Sequence, residues 1–300
     1  MEMHQLRYFV AVARTGSFSR AAEQCHISQP SLSQQIQKLE RGLGQRLLDR
    51  LGRRAVLTEA GRLLLDSALA ILGTVEDAER RLRDGDDRQG GRLAVGMLPT
   101  IAPYLLPLVL GRFVKHHPRV ELTIHEDVTR QLLPAVVAGD LDLALVAQPV
   151  NDDGVQAESL FTEPLLLAMP RTHRLARRRR ITMDDLGEER FIVLNEMHCL
   201  GDQVLSFCSA HGCQPAIACR SAQISTIQSL IALNQGISLL PAMAQRVDRD
   251  KRRVYRPLAG DPPRRTIAVI SRLHRYHSPT AERFLARLRE VAAELQLPAP

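Results

Sequence analysis

The chain has 300 residues, 45% hydrophobic and 24% charged, which suits a globular protein of two or more domains with sizeable cores. Its net charge of +7 favours a polyanionic partner such as nucleic acid. No apolar run approaches the roughly 18–20 residues of a membrane span, Met1–Gln5 carries no leader pattern, and five cysteines, an odd number, do not make a secreted disulfide framework. A reducing cytoplasm is therefore expected, where a disulfide is transient and functional rather than structural.

The first third reads as helices. Leu6, Phe9, Val10 and Val12 form an apolar stripe that ends at Gly16-Ser17. Phe18–Cys25 is a second, short helix whose Ala21, Ala22 and Cys25 allow close packing, Cys25 being a packing residue. After a turn at His26-Ile27, Ser28 caps a third helix with Pro30 in its first turn. Leu32, Ile36 and Leu39 face its core, which leaves Gln29, Ser31, Ser33, Gln34 and Gln37 outward. A helix, a short turn and a second helix with an amide- and hydroxyl-rich face make a helix-turn-helix pattern. Gln pairs with adenine and Ser with either base type; a plain solvated face is the other reading. Arg50, Arg53 and Arg54 surround a short loop before the brief strand Ala55–Thr58, as in a basic wing that contacts phosphate.

From Thr58 to about Asp84 the sequence reads as one amphipathic helix, with Leu64, Ala68, Ile71, Leu72, Val75, Ala78 and Leu82 at three- and four-residue steps. A coiled-coil-like dimer would cover that stripe, as would packing on its own domain. Asp84–Gly91 is a polar, glycine-rich hinge. Strands and helices then alternate. Strands are expected at Arg92–Met97, Val120–Ile124, Leu141–Val146, Leu165–Met169, Arg190–Leu194, Ala216–Cys219, Ile237–Leu240 and Thr266–Ser271, the chain returning to the last through Arg252–Pro257. Helices are expected to His116, over Thr129–Ala138 and Ile224–Leu233, and over a final Pro279–Leu295. The alternation implies an α/β fold with a largely parallel sheet.

The stretch His198–Cys208 places Cys199 beside a histidine and Cys208 nine positions later, in a helical apolar rhythm. A helix would hold those two Cα atoms roughly 13 Å apart on opposite faces, while a disulfide needs them within roughly 7 Å. The pair can join only if the helix melts, which makes it a candidate redox switch.

The run Leu6–Gly61, with its core Ala21-Ala22…Ile27-Ser28-Gln29-Pro30-Ser31-Leu32-Ser33…Leu39-Glu40, resembles the winged helix-turn-helix of LysR-type transcriptional regulators. The resemblance implies that Gln29, Pro30, Ser31, Ser33 and Gln34 line the major groove, with Arg50, Arg53 and Arg54 on or near the wing. It implies residues 1–58 as a DNA-binding domain, 59–90 as a dimerisation helix and hinge, and 91–300 as a two-lobed effector domain similar to periplasmic binding proteins. Lobe I would comprise 91–161 with 266–300, and lobe II 162–265. Within the family, Leu98–Pro107, His198–Cys208, Gly236–Ala244 and Pro262–Ile267 resemble the OxyR peroxide sensors. That resemblance implies Cys199 as the peroxide-reactive thiol, Cys208 as the resolving one, and Thr100, Thr129, His198, Asp202 and Arg265 as supporting groups. It further implies a homodimer, assembled to a homotetramer, acting on promoter DNA, with no cofactor and no enzymatic reaction.

Gly201 departs from the basic side chain common at that place, and Cys213 and Cys219 fall outside the pattern, readable as inert thiols. Two other readings of the same residues remain. Cys208, His211 and Cys213 are close enough for a metal, but lack the paired spacing of a zinc site. Thr100, Ser225 and Thr226 at helix N-termini would hold an anionic metabolite in the inter-lobe cleft. His173-Arg174 and Arg177–Arg180 read as a solvated basic loop.

Overall fold

The computed structural model describes residues 1–51, 54–83, 91–195, 199–273 and 275–295, which fall into two compact units, Met1–Gly85 and Asp86–Pro300. In the first, α1 (Met3–Thr15), α2 (Phe18–Gln24) and α3 (Gln29–Leu43) enclose a core of Leu6, Phe9, Val12, Ala21, Leu32, Ile36 and Leu39. The Ser17 and Ser28 side chains accept the amide hydrogens of Arg20 and Ser31, so each short helix begins on its own cap. Cys25 packs, half-buried, against the same core. β1 (Leu48–Leu51) and β2 (Arg54–Leu57) pair antiparallel as a hairpin. Glu40 Oε1 accepts the amides of Leu47 and Leu48, which fixes the hairpin to the end of α3.

The helix α4 (Glu59–Arg83) spends its apolar stripe in two ways. Ala68 and Leu72 are buried, and Leu64, Leu65 and Leu69 partly so, against the helix-turn-helix core. Farther along, Ala78 and Leu82 are exposed, Leu82 at 86%. Packing on its own domain thus accounts for the first half of the helix and leaves the second uncovered. The hinge expected from residue 84 to 90 lies outside the described residues.

The second unit contains β3 (Arg92–Met97), α5 (Ala102–His116), β4 (Glu121–Glu126), α6 (Thr129–Ala138), β5 (Leu143–Ala147) and β6 (Val155–Pro170). β7 (Arg190–Leu194), α7 (Cys199–Ala210), β8 (Ala216–Ser221), α8 (Ile224–Ala232) and β9 (Ser238–Pro241) follow, then α9 (Ala242–Val247), β10 (Arg253–Arg256), β11 (Arg264–Arg272) and α10 (Pro279–Leu295). The main sheet runs β4-β3-β5-β11-β6-β10, with β9 also on β6; β7 and β8 form a parallel pair that meets β9 through a Phe191–Ile237 bridge.

The expected parallel sheet is therefore corrected to a mixed one. β3 pairs parallel with β4 and β5, but β11 is antiparallel to β5 and β6, and β6 is antiparallel to β9 and β10. The cause is β6, a 16-residue strand whose first half pairs with β11 and whose second half pairs with β9 and β10. Its opening residues, Gln156–Ser159, are exposed and polar; cross-strand hydrogen bonds hold them in the sheet, and apolar periodicity does not reveal them.

Candidate functional site

Three groups of residues carry the sequence expectations. On α3, Gln29, Pro30, Ser31 and Gln34 are exposed and Ser33 is half-buried, while Leu32, Ile36 and Leu39 occupy the opposite face. One helix thus presents a polar face with its apolar face fixed beneath it. Arg54 is exposed at the start of β2. Arg50 lies in β1 with its side chain outside the described residues, and Arg53 lies outside them altogether. The basic loop at Arg174–Arg180 is partly neutralised: Arg174 and His173 contact Glu189 at 2.7 and 3.0 Å, and Arg178 pairs with Asp185.

The second group is a buried polar chain. Thr100, in the turn before α5, is 3% exposed, and the Arg265 side chain on β11 is fully buried. Arg265 Nη1 donates to Thr100 Oγ1 and Nη2 to the Thr100 carbonyl, both at 3.0 Å, while Nε donates to Glu163 Oε1 at 2.8 Å. Glu163 Oε2 in turn accepts the Met243 amide at 2.8 Å, at the start of α9. Arg265 and not its exposed neighbour Arg264 is the structured arginine. With its three nitrogens engaged, it holds Thr100 in place rather than standing open to a ligand. Glu163 was not singled out from sequence. Its signal was a lone carboxylate in the otherwise apolar run Leu160–Met169, since a buried charge needs a partner. Thr129 opens α6 and is half-buried.

The third group is α7, which begins at Cys199; the Cys199 side chain and all of His198 lie outside the described residues. Leu200, Val204 and Cys208 recur every four residues and are buried, and Asp202 is exposed in the first turn. Gly201 has a steric reason. A Cβ there would stand 2.6 Å from the Leu194 carbonyl oxygen, so the helix docks its first turn directly on the end of β7. A larger residue would require a different start to the helix. Gln203 Nε2 donates 3.1 Å to the Gln148 carbonyl, tying α7 to the loop after β5.

Cys208, Cys213, Cys219 and Cys25 are free thiols. Burial pushes the Cys208 thiol up to about 11, helped by the neighbouring Cys213, and burial also raises Cys213. Cys219 is half-buried and its thiol donates to the Arg220 carbonyl. Among the described residues no three His, Cys, Asp or Glu side chains are grouped to hold a metal, and His211 Nδ1 lies 2.9 Å from the Phe207 carbonyl. Of the anion-site residues, Ser225 and Thr226 are exposed on α8, while Thr100 is engaged with Arg265. Among the described residues no helix is long and apolar enough to cross a membrane.

Residues 3–62 match the bacterial regulatory helix-turn-helix protein, lysR family, and residues 86–293 match the LysR substrate binding domain. A hydrogen peroxide-inducible genes activator of Pectobacterium carotovorum subsp. carotovorum is 37% identical over 273 residues, 91% of this chain and 90% of that protein. Among solved structures, a full-length OxyR variant from Pseudomonas aeruginosa is similar with a TM-score of 0.75 and 30% identity, covering 97% of this chain and 94% of that one. A hydrogen peroxide-bound OxyR mutant of Corynebacterium glutamicum gives a TM-score of 0.64 at 28% identity, over 99% and 97% of the two chains.

Two outcomes follow from the α7 geometry. In Gly201→Ala the helix-propensity gain of up to about 1 kcal/mol opposes an overpacking cost of about 1–3 kcal/mol, so a net loss of stability is expected. Thermal unfolding and the alkylation rate of Cys208 measure it; a stabilised protein with unchanged alkylation would contradict the contact. The raised Cys208 value favours the folded state at neutral pH. That contribution is complete below the ordinary 9.0 and is lost as pH climbs towards about 11. Hydrogen exchange of α7 is expected to accelerate across that window more in the parent than in Cys208→Ala.

Proposed function

The chain belongs to the LysR family of bacterial helix-turn-helix transcriptional regulators, and on that premise we propose that it senses hydrogen peroxide through Cys199 and Cys208. It is a regulator and not an enzyme, and its relatives include a peroxide-inducible activator. The observation that carries the proposal is the placement of Cys199 at the first position of α7 and of Cys208, wholly buried, near its end.

The chemistry follows from that placement. Backbone amides at a helix start favour a thiolate, which is the form that attacks peroxide. The Cys199 sulfur takes one peroxide oxygen as the O–O bond breaks, and the other oxygen leaves as water once protonated. The sulfenic acid then condenses with Cys208, releasing a second water. Thr100 accepts a hydrogen bond from Arg265 and keeps its own O–H to donate towards the reacting oxygens; in this reading Arg265 is a positioning residue. We assign Thr129, His198 and Asp202 as further polar support. Cys208 is protonated and enclosed while α7 is folded, so the second step requires the helix to open. Opening breaks the Gln203–Gln148 tie and the Gly201–Leu194 contact, and so rearranges the effector domain.

The same reading makes promoter DNA, in the bacterial cytoplasm, the partner of the α3 face, with Gln29, Pro30, Ser31, Ser33 and Gln34 in the major groove and Arg50, Arg53 and Arg54 at the wing. The exposed second half of α4 is the dimerisation surface, and dimers assemble to a tetramer. We take residues 91–161 with 266–300, and 162–265, as the two lobes, with β6 and β11 as the crossovers.

Peroxide is expected to shift the promoter footprint of the parent protein and to leave that of Cys199→Ser unchanged. A footprint insensitive to peroxide, in a protein whose melting temperature instead rises with a metabolite, would sink the sensor reading. For the DNA face, Gln29→Ala is expected to lose about 1–3 kcal/mol of discrimination at one base pair. Arg54→Ala should weaken all sequences alike and lower the salt slope by about 1. Intact affinity and slope in both variants would remove α3 and the wing from the interface.

A further inference from the structure

The folded structure gives Cys208 a thiol partner, and it is Cys213. α7 ends in a cap in which Gly212, at a left-handed φ of 72°, donates its amide to the Ser209 carbonyl at 3.0 Å. The Cys213 amide donates to the Cys208 carbonyl at 2.9 Å. These are the two hydrogen bonds of a Schellman motif, which brings the side chains of its first and last residues into contact. Here those residues are Cys208 and Cys213, both buried. Ordinary bond lengths on either side of the 2.9 Å hydrogen bond keep the two Cα atoms within about 7 Å, the reach of a disulfide.

We propose that Cys213 is a second disulfide partner of Cys208, and that a Cys199–Cys208 bond passes to Cys208–Cys213 as α7 refolds. The proposal rests on the peroxide-sensing reading for the origin of the first disulfide. In the exchange, the Cys213 thiolate attacks Cys208 Sγ. A Cys208–Cys213 bond forms, the Cys199–Cys208 bond breaks, and its electron pair leaves on Cys199 as thiolate; the proton lost by Cys213 goes to solvent. No further oxidant is required, because one disulfide replaces another. Cys199 is the favoured leaving group, since α7 regains its start as the bond breaks, that start stabilises the Cys199 thiolate, and the lower-pKa thiol departs faster.

The direction is set by packing. A Cys199–Cys208 bond is incompatible with α7, whose geometry holds the two Cα atoms roughly 13 Å apart. A Cys208–Cys213 bond closes the existing cap and lets Leu200 and Val204 return to the core. The exchange therefore restores the helix while leaving Cys208 blocked. The response to peroxide ends without a reductant, and Cys199 then lacks its resolving thiol.

Two arms test this on the full chain, in a Cys219→Ser background so that only three thiols of the region compete. Chymotryptic cleavage after Phe207 separates Cys199 from Cys208 but leaves Cys208 and Cys213 on one peptide. The first disulfide then appears as two joined peptides, and the second as one peptide lighter by two hydrogens. With Cys199→Ser added, the thiol oxidant diamide should produce the Cys208–Cys213 peptide with far-ultraviolet helicity retained. Its absence overturns the proposal whatever the fate of the sensor reading. With Cys199 present, a stoichiometric peroxide pulse should give the Cys199–Cys208 link first and the Cys208–Cys213 link later, and Cys213→Ala should prolong the first link severalfold. A Cys199–Cys208 link that persists equally in both proteins overturns the exchange and leaves the sensor reading standing. Neither link after peroxide overturns both.

Discussion

The effector half of the molecule depends on the docking of one twelve-residue helix. α7 is held by Leu200, Val204 and Cys208 beneath it, by Gly201 against the Leu194 carbonyl, by Gln203 on Gln148, and by the cap at Gly212. Full burial of a Leu or Val side chain contributes about 1.5–3 kcal/mol, and a buried hydrogen bond about 0.5–1.5 kcal/mol. Opening α7 therefore costs several kcal/mol, enough to keep Cys208 enclosed for most of the time. In the proposed sensor, the fold that separates the two cysteines also sets the threshold a chemical signal must overcome.

The second fixed element is the ion pair Arg265–Glu163. A pair this enclosed adds little net stability against an apolar replacement, but removing one partner would strand the other charge. Its value is geometric. Arg265 grips Thr100 in the turn before α5, and Glu163 grips Met243 at α9, so a single polar chain links those two places through β11 and β6.

The sequence was legible where a local rule determines the structure. Ser28 announced its cap, Leu32, Ile36 and Leu39 announced the inner face of α3, and the apolar rhythm after Cys199 announced the helix that carries Cys208. It was opaque where two distant segments determine it together. The opening of β6 carries Gln156, Glu158 and Ser159 and is held in the sheet by β11 beside it. Gly201 looked like a weak point in a helix, although its cause is the backbone of Leu194, outside the helix. α4 showed one continuous stripe, yet only the packing on α1 reveals which half of it is already covered.

Cys213 shows the same limit at the scale of a few residues. Read along the chain, it is a stray thiol beyond the pattern. The signal that gives it a place is Gly212: a glycine just past a helix accepts the left-handed conformation, folds the chain back, and sets the next residue against the last turn. Burial raises both thiols, so the closed cap favours their protonated, less reactive form. Once α7 opens, both lose that protection together. In the proposed sensor the order of events would then follow conformation as well as thiol chemistry: Cys199 first, at the helix start, and the two capped thiols after it.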